Sequence, residues 1–172
     1  MKIKIIGQYY FTDREIQKMK EMLKKTKKFN FEFAARISSN KSQPGELKLT
    51  CIRLGNESFV EMPNNCGKTR ISLGVFHTHV RGTENLSISD LQSHMNSKHK
   101  IECVGRDGKI SCYKRKKIKN FRENILSDIA NAKNRCGSIW MGESADLIAV
   151  SEVAAKLSAE LTEKYFDRIR LL

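Results

Sequence analysis

Gly74-Val-Phe-His77-Thr-His79-Val-Arg-Gly-Thr-Glu-Asn-Leu-Ser87-Ile-Ser-Asp90 is the stretch on which the fold and the chemistry both turn. The apolar run from Arg70 into His79 reads as a strand. Seven residues follow as a loop, and Ser87 is placed to cap a helix reaching about Lys98. His77 and His79 are two apart at the strand end, so their imidazoles leave one face of the sheet and can converge on one ion. Asp90 follows Ser87 by three residues, in the first turn of the helix, and projects with it toward the histidines. Two imidazoles and a carboxylate suit zinc. Three protein ligands leave a fourth position for water, which is the arrangement of catalytic rather than structural sites. Taken singly, each residue has a plainer role: histidines at strand ends are often held by local hydrogen bonds, and Ser-x-x-Asp is a helix-capping pattern. The combination demands all four at fixed spacing.

Working outward, residues 2 to 7 read as a short strand, and Ile16, Met19, Met22 and Leu23 recur at helical spacing after a cap near Thr12 or Asp13. Strands are expected over 29–37, 47–54, 58–62 and 70–79, separated by Gln43-Pro-Gly45, Gly55-Asn56 and Pro63-Asn-Asn65. Beyond the 87–98 helix, Asp107-Gly108 predicts a hairpin turn between strands 100–104 and 109–113. Helices are expected near 121–134 and 144–168. The second carries Leu147, Val150, Ala154, Leu157, Leu161 and Tyr165 on one stripe, a core-facing or dimer-facing surface. Helices covering a mixed central sheet define an α/β fold.

The 172 residues carry a net charge of +13, unevenly spread. Residues 13–28 hold seven Lys/Arg against three acids and residues 98–119 hold nine against two. Such blocks attract acidic proteins or nucleic acid, or simply form a solvated face. No apolar run approaches the roughly 20 residues that span a bilayer, and the first residues are too short and charged for a signal peptide, so a soluble, cytoplasmic protein without membrane contact is expected. The five cysteines, Cys51, Cys66, Cys103, Cys112 and Cys136, contain no CxxC pair. The hairpin sets Cys103 opposite Cys112 with Cα atoms about 4.5 Å apart, within disulfide reach. Free thiols are nevertheless expected, and Cys66 is expected to pack inertly in its loop. His94, four residues after Asp90, offers a fourth ligand that would close the zinc shell, but His94 and His99 are expected at the surface.

The sequence resembles the JAMM (MPN-plus) zinc metalloproteases, whose signature is an upstream Glu, His-x-His, seven residues and Ser-x-x-Asp. Here these are Glu32, His77-Thr-His79, residues 80–86 and Ser87-Ile-Ser-Asp90. Glu32-Phe-Ala-Ala-Arg-Ile-Ser38 looks like the glutamate-bearing strand of that family, and Ile71–Phe76 like the strand leading into the histidines. The resemblance covers roughly residues 13–115. Val80 and Leu86 stand where the family usually has proline; the last 50 or so residues have no counterpart.

The resemblance implies a JAMM/MPN-like fold with cytidine-deaminase-like layering and extra C-terminal helices, divided as a domain over 1–135 and an extension over 136–172 that packs on it or on a partner, including another copy. It implies one Zn2+ on His77, His79 and Asp90 with a water as fourth ligand, whose pKa the metal brings toward about 7. Glu32 would be the general acid/base and Ser87 the donor to the tetrahedral oxyanion. The expected activity is that of a zinc metallopeptidase or isopeptidase, deubiquitinase-like, acting on a ubiquitin-like protein or its conjugates. The competing expectation is a nucleic-acid-associated module on the same fold, bound through 13–28 and 98–119, where Tyr113 beside Lys114-Arg-Lys-Lys117 offers one stacking group. An inactive scaffold would lack ligands, and none is missing.

Overall fold

The computed structural model describes residues 2–42, 44–56, 60, 70–140 and 147–172. The strand expected over 58–62, Val60 apart, and the Cys66 loop lie outside the described residues. Two compact units are formed: Met1–Glu84, His99–Lys114 and Arg168–Leu172 in the first, Asn85–Lys98 and Arg115–Asp167 in the second.

The first unit opens with a hairpin, β1 (Lys2–Ile6) and β2 (Tyr9–Thr12), of which only the first strand was legible in the sequence. Helix α1 (Asp13–Phe29) follows. Its stripe of Ile16, Met19, Met22 and Leu23 is buried as the spacing predicts, and each such side chain contributes roughly 1.5–3 kcal/mol. Asn30, at φ 57, ends the helix by returning its N–H to the Thr26 carbonyl. Helix and turn thereby use up residues expected to begin a strand, and β3 runs over Phe33–Asn40. With β4 (Leu47–Leu54), β5 (Arg70–Thr78), β6 (Ile101–Arg106), β7 (Lys109–Arg115) and β8 (Phe166–Arg170) it builds a six-stranded sheet ordered β4-β3-β5-β6-β7-β8. Pairing is antiparallel between β3 and β4, β3 and β5, and β6 and β7, and parallel between β5 and β6, so the sheet is mixed. The core of this unit joins Phe11, Met19, Ile37, Leu47, Phe76, Ile101 and Ile110. At Gly74 the parallel neighbour comes so close that a Cβ would lie 1.9 Å from the Ile101 carbonyl oxygen.

The β6–β7 turn is the expected pair Asp107-Gly108, both at positive φ (48° and 79°), and it registers Cys103 against Cys112. The expectation of free thiols is overturned here. Cys103 and Cys112 form a disulfide with Cα atoms 4.0 Å apart, Cys51 is also disulfide-bonded, and Cys136 is free. Directly facing cysteines in a hairpin already satisfy the distance requirement, so no backbone movement opposes the bond.

The second unit packs α2 (Ile88–Asn96), α3 (Phe121–Trp140) and α4 (Leu147–Tyr165). Leu157, Leu161 and Tyr165 of the α4 stripe are buried. The helix expected to reach 168 stops at Tyr165, and Phe166–Arg170 form β8 at the edge of the sheet. His94 is a second correction. It is 1% exposed, its Nε2 accepts from Arg115 Nε at 3.1 Å, and its ring meets the Phe166 ring edge-on. The guanidinium satisfies the ring nitrogen that would otherwise require solvent. Burial, and then the Arg115 charge, bring its pKa down to about 3. Among the described residues no helix is long and apolar enough to cross a membrane.

Candidate metal centre

The end of β5 divides its labour by alternation. Thr78, fully buried, points toward α1, where its hydroxyl meets Thr26 Oγ1 at 2.7 Å and accepts from the Phe33 backbone N–H at 2.8 Å. His77 and His79 therefore leave the opposite face together. The strand end is fixed further by the His79 N–H, which donates to the Gly105 carbonyl at 2.9 Å.

The histidines present their Nε2 atoms to each other, 3.0 Å apart. His79 Nδ1 lies 2.8 Å from the Thr83 carbonyl, which can only accept, so the proton of neutral His79 sits on Nδ1 and its Nε2 carries a bare lone pair. His77 Nδ1 lies 3.7 Å from Glu102 Oε1, and both side chains are 2% exposed. At that distance Glu102 makes no hydrogen bond to the ring, and a proton on His77 Nε2 would make the 3.0 Å contact a hydrogen bond donated to His79 Nε2; a metal ion shared by the two rings would take that proton's place. Outer partners of this kind, a carbonyl on one imidazole and a carboxylate on the other, are what fixes tautomer and ring angle in metal-binding histidines.

The third residue is Asp90. The candidate ligand atoms of His77, His79 and Asp90 all lie within 4.8 Å of one another, making a group able to hold a metal ion; His77 is buried and the other two are half-buried. At the start of α2, Ser87 and Asp90 also form the capping box that the pattern allowed. Ser87 Oγ and N both donate to Asp90 Oδ2, at 2.6 and 2.8 Å, and the Asp90 N–H donates to Ser87 Oγ at 3.1 Å. The plain role and the metal role therefore fall on the same residues. The hydroxyl has one proton, held by Asp90 in this arrangement, so Ser87 can serve an oxyanion only by turning that proton away.

Glu32 lies just before β3, half-buried, with its backbone bonded both ways to the Gly55-Asn56 segment. The β3–β5 register pairs Ala34 with His77. Glu32 precedes β3 by one residue, and the paired register ends at Ala34 and His77. It is not one of the three grouped residues. His94, considered above as a fourth ligand, is absent from the group as well and is taken up by Arg115.

Glu102 is the residue that the sequence reading passed over. Its signal was present: an acid inside Ile101-Glu102-Cys103-Val104, an otherwise apolar strand, must find a partner or raise its energy steeply. Its register partner is Val75, two residues before His77 and on the same face.

Beside His79 the first unit holds a cavity of about 620 Å³. It lies at the carboxyl ends of the parallel strands β5 and β6, where open α/β sheets commonly bind ligands. No protein-family model and no curated protein sequence matches the chain.

Proposed function

We propose that this protein is a zinc-dependent hydrolase of peptide or isopeptide bonds, with a JAMM-like layering of helices on its sheet. The observation that carries the proposal is the pair of histidine Nε2 atoms 3.0 Å apart with Asp90 in the same cluster. Two imidazole nitrogens this close, with a carboxylate in the same group, support one shared ion. His77, His79 and Asp90 would hold the ion. Bound there, it would supply Lewis acidity and make water a usable nucleophile near neutral pH.

The chain's own side chains account for the remaining tasks. Glu32, two residues before the Ala34–His77 pair, takes a proton from water and returns it to the leaving amine, the lysine side-chain nitrogen when the bond is an isopeptide. Ser87 donates its proton to the carbonyl oxygen as charge builds there, giving up Asp90 for that interval. Glu102 and the Thr83 carbonyl hold the two imidazoles with their Nε2 lone pairs forward. A ubiquitin-like conjugate is the proposed substrate class and the cytoplasm the proposed location.

Metal analysis of wild type beside His77→Ala and Asp90→Ala tests the centre, and cleavage of an isopeptide-linked conjugate by wild type and Glu32→Ala tests the reaction. Wild type should hold one equivalent of zinc, both ligand variants should lose it, and Glu32→Ala should keep metal while losing cleavage by 100-fold or more. Stoichiometric zinc in both ligand variants would remove the centre from consideration.

A further inference from the structure

The two basic stretches of the sequence meet in one place. Lys20, Lys24 and Lys27 follow one another at i, i+4 and i+7 along α1, and they line the cavity beside His79 together with Arg106 from the end of β6. Among the described residues, the only carboxylate in the lining side chains is Asp107, which accepts from Arg106 Nε at 2.9 Å. Arg106 Nη1 itself is buried with no hydrogen-bond partner among the described residues. Four cationic side chains beside one carboxylate leave the described lining positively charged, which favours an anionic guest. Leu23 and Val80 give the same cavity an apolar wall.

We propose that this cavity binds an acidic segment of substrate polypeptide, with apolar side chains interleaved among the carboxylates, next to the bond to be cut. Its identification as substrate rests on the hydrolase reading above; the binding does not. A peptide suits the cavity better than a nucleic acid because, among the described residues, no Phe, Tyr or Trp lines it to offer unpaired bases a stacking platform. Its volume is that of a pocket for a few side chains rather than of a groove tracking a strand. Its position matters as well. His79, a candidate metal ligand, is among the lining residues, so the cavity adjoins the strand end that carries the metal group.

The test is fluorescence anisotropy on the zinc-loaded full chain with three labelled probes: a peptide alternating Glu and Leu, its Gln/Leu counterpart, and a single-stranded oligonucleotide of equal charge. The protein variants are Lys24→Glu/Lys27→Glu in the cavity and Lys117→Glu/Lys119→Glu elsewhere, which alter net charge equally. Lys24, Lys27, Lys117 and Lys119 are all exposed, so the variants fold. The acidic peptide should bind wild type at least tenfold more tightly than the neutral one. It should lose about tenfold or more in the cavity variant, and change little in the distal variant. Equal loss in both variants, equal affinity for both peptides, or tighter oligonucleotide binding abolished by the cavity substitutions would each overturn the proposal. Cleavage separates the two claims. If the charge pattern holds but zinc-loaded wild type cuts neither the acidic peptide nor an isopeptide conjugate, the hydrolase reading fails and the cationic pocket stands. If cutting requires Glu32 yet proceeds with equal kcat/KM on both peptides, the pocket fails and the hydrolase stands.

Discussion

Replacing Glu102 by Gln removes a charge from beside His77 with almost no change in shape. The carboxylate oxygen lies 3.7 Å from His77 Nδ1 and both groups are shut off from solvent. Two full unit charges at that distance attract by about 4.5 kcal/mol at an effective dielectric constant near 20. The imidazole of a metal-holding histidine carries only part of a charge, and an amide oxygen at residue 102 would still face the Nδ1–H. A third to a half of the full value is therefore the expected loss, roughly 1.5–2.3 kcal/mol, or 10- to 50-fold in zinc affinity, inside the range usual for outer partners of metal ligands. Competition with a chromophoric chelator measures this directly. A buried amide costs less than a buried carboxylate, so the metal-free protein should lose little stability. Zinc affinity within twofold of wild type, or a drop in the melting temperature of the apo form with no change in zinc affinity, would refute the assignment and leave Glu102 a packing residue.

Two further outcomes follow from features away from the metal ligands. Gly74→Ala drives a methyl group into the Ile101 carbonyl and should cost on the order of 3 kcal/mol or more, read by urea denaturation; a stability within 0.5 kcal/mol or so of wild type would mean that β5 and β6 can part without penalty. His94, with its pKa brought down to about 3 by burial and Arg115, is neutral when folded and takes a proton on unfolding, so its contribution is present above about pH 6.5 and is lost as pH falls toward 3. The slope from this group is at most about 1.4 kcal/mol per pH unit, and it should disappear in His94→Gln. An unchanged slope would place the acid sensitivity elsewhere.

What the sequence disclosed was whatever depends on short-range geometry. The strand period of two put His77 and His79 on one face, the Asp107-Gly108 dipeptide named its own turn, and Ser87 with Asp90 announced the start of α2. The parts it withheld depend on pairing across distance. Glu102 meets His77 only because β6 runs parallel to β5 in one register, after a connection of some twenty residues whose length says nothing about alignment. Strand β8 hid behind the helical stripe that ends at Tyr165. His94 was assigned to the surface because nothing local reveals that Arg115 returns from the far end of β7 to accept it into the core. The disulfide was different. Its geometry was readable and only a preference for reduced thiols stood against it.

Thr78 has a significance larger than its size. Its hydroxyl clasps the helix that carries the three cavity lysines to the very residue that separates the two imidazoles. If the cavity takes an acidic guest and the histidines take an ion as proposed, this contact is one link between the two sites. Thermodynamics makes any exchange through it even-handed: whatever factor zinc adds to the affinity for an acidic chain, the chain must give back to zinc.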